Sequence, residues 1–189
     1  MTSLNFFRNP LRGLFGGKDR PTVPVKELRE RDRRRMLKHF LTLERHDRLL
    51  RFGSPVNDEQ IARYVGGIDF DRDLVFGVYN RVFKLVAVGH LAFAERDADK
   101  HKVTAKDQVA EFGVSVSKSA RGLGIGSRLV EECLTFARRA GYRRMVLWTQ
   151  SILTSAHRIY EAQGFVLGEE EPHHSFGVDL VGQFWHLEL

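Results

Sequence analysis

Arg121-Gly122-Leu123-Gly124-Ile125-Gly126 joins an apolar run (residues 109–116) to an amphipathic one (residues 127–140). The context is strand, glycine-rich turn, helix. Such a turn directs backbone N–H groups outward at a helix N-terminus, where the helix dipole also favours negative charge. Glycine lets a phosphate approach the backbone without meeting a β-carbon. The segment reads as an anion cradle for a phosphate ester. The dinucleotide fingerprint G-x-G-x-x-G fails, because Ser127 or Leu129 stands where its third glycine is needed. The P-loop also fails, for want of a Gly-Lys-Ser/Thr ending.

Periodicity supplies the surroundings. Residues 23–28 read as a short strand. Residues 32–43 read as a helix, with Met36, Leu37, Phe40, Leu41 and Leu43 at helical spacing. Residues 58–65 form a second helix, capped by Asn57 or Asp58. Strands follow at 74–79 and 83–94, with Asn80-Arg81 as their hairpin turn, then at 108–117 after a polar loop at 97–107. The helix after the glycine turn is expected to bury Ile125, Leu129, Cys133, Phe136 and Ala140, with Val130, Leu134 and Ala137 widening that face. Residues 145–149 suit a strand buried on both faces, and 155–162 a short helix. Residues 165–168 and 182–189 close the domain as two strands, with residues 169–174 as the loop after the first. The order β-α-α-β-β-β-α-β-α-β-β is mixed rather than strictly alternating, so the fold class is α/β with a mixed α+β sheet and not a doubly wound sheet.

Three stretches carry a family resemblance. Arg121, Gly124 and Gly126 give Arg-x-x-Gly-x-Gly, which resembles the acetyl-CoA pyrophosphate loop of the GCN5-related N-acetyltransferases (GNAT). Ala156, Tyr160, Gly164 and Phe165 match that family's A-x-x-x-Y-x-x-x-G-F segment. The strand Ala110-Glu111-Phe112-Gly113-Val114-Ser115-Val116 occupies the place of the family's splayed strand. The element order is similar from residue 23 onward. Leu49-Leu50-Arg51-Phe52 with Ala110-Glu111-Phe112 bears a weaker resemblance to the catalytic domain of bacterial protein-lysine acetyltransferases. One departure stands out: many members carry a cofactor-contacting Asn where this chain has Leu153, and Ser151 and Thr154 are the nearby polar replacements.

The resemblance implies the GNAT acyl-CoA N-acyltransferase fold over residues 23–189, behind a flexible basic tail at 1–22. It implies acetyl-CoA as co-substrate. Val114 and Val116 would offer backbone contacts to pantetheine, and Arg121, Gly122, Leu123, Gly124, Ile125, Gly126 and Ser127 would hold the pyrophosphate. Tyr160 would serve the departing thiolate. Amide formation needs a neutral amine, whereas an alkylamine of ordinary pKa ~10.4 is protonated at pH 7. A carboxylate, directly or through water, can take that proton. Glu111 is the candidate, an acid on an otherwise apolar strand whose burial would make it more basic. The Val114 N–H would meet the oxyanion.

Other features take plainer readings. Cys133 is expected as core packing, and a single cysteine leaves no disulfide. His173-His174 lack a third ligand, so no metal is expected. Asp69, Asp71 and Asp73 suit a turn, with attraction of a cationic amine as the other reading. His157 is expected at the surface, and Arg48 and Arg51 either shape an acceptor pocket or solvate a loop. The net charge of +6 admits nucleic acid, but no RNA-binding strand motif accompanies it, so no nucleic-acid partner is expected. No apolar run approaches the ~20 residues of a membrane span, and a cytoplasmic location is the expectation. The partners expected are acetyl-CoA and an amine, small molecule or protein; a homodimer stays open. The competing function is a non-catalytic acyl-CoA sensor.

Overall fold

The computed structural model describes residues 24–93, 108–175 and 178–189. The expected tail at 1–22 and the polar loop at 97–107 lie outside them. Seven strands form one sheet in the order β1-β2-β3-β4-β5-β7-β6. They are β1 (Val25–Leu28), β2 (Leu74–Tyr79), β3 (Leu85–Phe93), β4 (Val109–Val116), β5 (Arg144–Gln150), β6 (Val166–Ser175) and β7 (Val178–Glu188). The helices are α1 (Arg33–Leu41), α2 (Arg45–Phe52), α3 (Asp58–Gly66), α4 (Ile125–Ala140) and α5 (Thr154–Ala162). Every pairing is antiparallel except β4 with β5. That parallel ladder holds only three registered pairs, Val109–Arg144, Ala110–Met145 and Glu111–Val146. From Phe112 onward β4 remains paired with β3 alone, and the sheet splays open.

Alternation along the strands assigns the two faces. Ala110 and Phe112 of β4 pack with Val130, Cys133 and Leu134 of α4. On the other face, α1 and α3 bury Met36, Phe40, Ile61 and Val65 against Leu28, Val75, Leu85 and Val88. Gly113 and Ser115 of β4 point to that second face: Ser115 Oγ lies 2.6 Å from His39 Nε2 of α1. The short α2 crosses the splay on this side. Its Arg51 lies over Gly113 of β4, and its cap Gly53 lies against the Trp148 ring of β5.

Four expectations need correction. The stretch at 45–52, left unassigned by periodicity, is a helix, because its few apolar residues serve a single contact line with Leu49 alone fully buried. Residues 169–174 are strand, not loop: β6 is the sheet edge, which tolerates charges and Pro172 on its open side. The β2–β3 turn spans Asn80 to Lys84, with Asn80 Oδ1 accepting from the N–H groups of Val82 and Lys84. Phe136 and Ala140 lie outside the buried face of α4, which runs through Ile125, Leu129, Val130, Cys133, Leu134 and Ala137.

Candidate active site

The glycine turn leads into α4 as the sequence indicates. Gly122 and Gly124 adopt φ of +76° and +75°, the left-handed region that side chains disfavour. Space on the outer side of both is clear: among the described residues beyond their chain neighbours, no atom lies within 4 Å of where a β-carbon would sit. Gly124 caps the helix without any side-chain hydrogen bond. The Arg128 N–H bonds to the Gly124 carbonyl at 3.1 Å, so the N–H groups of Ile125, Gly126 and Ser127 precede the first intrahelical bond. An open helix N-terminus of this kind suits a pyrophosphate. Leu123 is exposed beside it.

Arg121 is engaged differently from the expectation of a phosphate ligand. Its Nη2 lies 2.8 Å from Asp47 of α2, and its Nε donates to the Val116 carbonyl at 3.1 Å. The guanidinium fastens the turn to β4 and α2. The backbone N–H groups at the head of α4 stand open beside it. Val114 and Val116 are half-buried on the stretch of β4 that β5 leaves open, opposite Gly89 and Ala87 of β3.

Glu111 and Tyr160 reach the splay from opposite faces. Glu111 ends the β4–β5 ladder on the face of Gly113. It is exposed, so the expected burial is absent: α2 covers Gly113 and stops short of Glu111. Tyr160 is 5% exposed and packs with Phe112, Phe165 and Trp185 on the α4 face. Burial pushes its hydroxyl pKa up to about 12, eased slightly by the Arg51 charge. An ordinary thiol titrates near 8.5, so full proton transfer from this phenol to a thiolate is uphill by roughly 3 to 4 units. Tyr160 is suited to donate a hydrogen bond while keeping its proton.

Sequence reasoning did not assemble a second group. Arg51 sits among the rings of Phe40, Phe52 and Tyr64, at 5.9, 5.1 and 5.5 Å. Its Nη2 donates to Tyr64 Oη at 2.8 Å, and Tyr64 Oη lies 2.8 Å from His90 Nδ1. His90 Nε2 stands 3.2 Å from an Asp73 carboxylate oxygen. Burial works to raise the Asp73 carboxyl, but the hydrogen bond and charge of His90 and two backbone N–H groups outweigh it and hold the carboxyl below its ordinary value. The sequence signals were faint: one histidine inside an apolar strand, and one arginine between Leu50 and Phe52.

The remaining residues take structural places. Cys133 is fully buried, and desolvation pushes its thiol far up. His157 is half-buried, with Nε2 3.0 Å from the Gln150 carbonyl, because α5 lays it on Trp185 rather than at the surface. His173 contacts the Gln150 amide and His174 contacts Asp179. The described residues contain no cluster of three metal-ligating side chains. Asp69 organises the expected turn, accepting from the N–H groups of Asp71, Arg72 and Asp73. Arg48 secures the ends of helices, bonding to the carbonyls of Leu41 and Leu43 and to Asp58.

A family model described as the acetyltransferase (GNAT) family matches residues 20–165. The chain belongs to the GNAT acetyltransferase family. Its sequence relatives include human N-acetyltransferase 8B, 44% identical over 54 residues, covering 29% of this chain and 24% of that protein. Rat N-acetyltransferase 8F1 is 33% identical over 88 residues, covering 47% of this chain and 36% of its own length. The matched stretches thus span 24% and 36% of these two relatives' own lengths. Among solved structures, a GNAT superfamily phosphinothricin acetyltransferase from Sinorhizobium meliloti, in complex with AcCoA, aligns with a TM-score of 0.70. It is 18% identical, and the alignment covers 88% of both chains. That likeness establishes the mixed α/β GNAT fold. No helix among the described residues is long and apolar enough to cross a membrane.

Proposed function

We propose that this protein is an N-acetyltransferase that moves the acetyl group of acetyl-CoA to a primary amine, by direct transfer in a ternary complex. The acceptor is a small-molecule amine or a protein lysine or N-terminus. The carrying observation is the continuity of two open backbone surfaces. The edge of β4 left unpaired by β5 after Glu111 leads, through one turn of 3-10 helix (Lys118–Ala120) and the glycine turn, to an α4 N-terminus that no side chain caps. An elongated ligand with a diphosphate at one end and amides along its arm fits that path. In this reading the N–H groups of residues 123–127 hold the pyrophosphate, and Val114 and Val116 meet the pantetheine arm.

The chemistry divides across the sheet. Glu111, on the α1–α3 face, attracts the ammonium and takes its first proton through water. The amine attacks the thioester carbon, and the Val114 N–H meets the oxyanion. The C–S bond then breaks, and Tyr160, from the α4 face, hydrogen-bonds the departing thiolate. Buried Cys133 is no nucleophile, which favours direct transfer over an acetyl-enzyme.

Leu153 at the head of α5 and the engaged Arg121 favour a second reading, an acyl-CoA sensor without turnover. One assay separates the two. Acetyl-CoA is incubated with the protein over polyamines, aminoglycosides, amino acids and lysine peptides, and free thiol is measured beside calorimetric CoA binding. Acceptor-dependent thiol release supports the transferase. CoA binding without release across the panel supports the sensor, and no CoA binding overturns both.

A further inference from the structure

Forming an amide from an ammonium removes two protons from nitrogen, one before attack and one from the cationic nitrogen of the tetrahedral adduct. Glu111 accounts for the first under the transferase reading, on which this inference rests. The Arg51–Tyr64–His90–Asp73 group is built to take the second. It draws on α2, α3, β3 and the turn before β2, and its hydrogens run in one direction. Arg51 Nη2–H donates to Tyr64 Oη; with His90 in the tautomer protonated on Nε2, Tyr64 O–H donates to His90 Nδ1 and Nε2–H faces Asp73. A cation closes one end and a carboxylate the other.

The row lies between the splayed stretch of β4 and a cleft beside α3. The Arg51 Nη2 that bonds Tyr64 Oη is the same atom that lies 2.6 Å from the β-carbon position of Gly113. Gly113 is in the splayed part of β4, next to Val114, and directly opposite His90 in the β3–β4 register. Tyr64 Oη is therefore one Arg51 nitrogen removed from Gly113, the neighbour of Val114, whose N–H meets the oxyanion in the transferase reading. Asp73 and His90 line a cleft of about 300 Å³, together with Gln60, Arg63 and Tyr64 of α3. His90 itself is buried.

We propose that Tyr64, His90 and Asp73 form a relay that removes the second proton of the acceptor nitrogen and discharges it through this cleft. The N–H bond of the tetrahedral adduct breaks and its proton goes to Tyr64 Oη. The Tyr64 hydroxyl proton passes to His90 Nδ1. The resulting imidazolium is stabilised by the Asp73 carboxylate and then loses a proton to water in the cleft. Tyr64 is the catalytic group, because it touches the reacting nitrogen; His90 receives the charge and Asp73 positions it. Burial raises the Tyr64 hydroxyl, opposed by the Arg51 charge, so the phenol stays protonated between turnovers. An imidazole is a stronger base than a carboxylate, which suits it to receive this proton. The charged groups around the relay are Arg51, Arg63, Asp73 and Glu111, with Arg72 and Tyr142 near Asp73.

The test uses the full chain, acetyl-CoA and the acceptor giving the fastest thiol release. Kinetics of Tyr64→Phe, His90→Gln and Asp73→Asn are recorded against pH, beside melting temperature and the KM for acetyl-CoA. The expected result is a kcat lowered roughly tenfold to a hundredfold in Tyr64→Phe and His90→Gln, with KM for acetyl-CoA within about twofold of wild type. The rise of kcat with pH loses one inflection in His90→Gln. In Asp73→Asn, which keeps the shape of the carboxylate, that inflection moves to lower pH because the imidazolium has lost its counter-charge. An active wild type whose folded variants keep kcat and the inflection overturns the relay alone. A wild type that releases no thiol with any acceptor overturns the transferase reading and the relay with it.

Discussion

At the scale of single residues, the two groups assigned to the chemistry differ in how they are held, and their variants should differ accordingly. Glu111 is exposed at the last rung of the parallel ladder, so Glu111→Gln is expected to leave the melting temperature unchanged and lower kcat by about a hundredfold or more, as loss of a general base does. Tyr160 is buried among aromatic rings. Tyr160→Phe keeps that packing and removes one hydrogen bond to a developing anion, worth about 1.5–3 kcal/mol, so a smaller fall is expected. Steady-state kinetics with thiol detection reads both, and equal turnover in wild type and both variants would remove these roles. The sequence pointed to these residues because each belongs to a contiguous stretch with fixed spacing. It could not point to Tyr64, His90 and Asp73 as a group. They meet only because α3 packs over β2 and β3, and no local spacing encodes that contact.

At the scale of elements, α2 shows what periodicity misses. Eight residues with one fully buried side chain carry too little apolar pattern to announce a helix. Its position is fixed instead by three polar attachments: Asp47 to Arg121, Arg48 to the carbonyls of Leu41 and Leu43, and Arg51 over β4. Gly113 leaves the space that Arg51 occupies, and a β-carbon there would meet the guanidinium at 2.6 Å. Gly113→Ala should therefore displace a flexible side chain more than it unfolds the strand. The expected outcome is a small change in melting temperature with a fall in turnover of roughly tenfold, the loss of one charge-assisted hydrogen bond. Differential scanning fluorimetry beside kinetics checks this, and a large loss of stability with normal turnover in the remaining folded protein would contradict it. The long strand β6 was hidden for a different reason: an outer edge accepts the acids and proline that mark a loop elsewhere.

At the scale of the whole molecule, His39 ties the α1–α3 layer to the sheet. It is 1% exposed, with Nδ1 3.3 Å from the Leu85 carbonyl and Nε2 2.6 Å from Ser115 Oγ. Burial lowers its pKa from 6.5 to about 4. The folded protein keeps the ring neutral while the unfolded chain takes up a proton below about pH 6.5. The contribution is therefore complete above that pH and is lost as pH falls toward 4, by up to about 3 kcal/mol at 1.36 kcal/mol per unit. Denaturant melts from pH 7 to 4 should show this decline, and His39→Gln should flatten it; an equally steep decline in the variant would assign the effect to other groups. The overall layering was legible because helix and strand periods separate cleanly along most of the chain. The splay was not, since it depends on where a parallel ladder stops.

That stopping point also divides the polypeptide in time. Strands β1 to β4 lie on one side of it and β5 to β7 on the other, and the three rungs between them cannot exist until Val146 has been made. The earlier strands pair only with their immediate predecessors and successors in the chain. During synthesis β1 to β4 can thus pair first, and the groove between β4 and β5 is a surface the chain acquires only after they are in place.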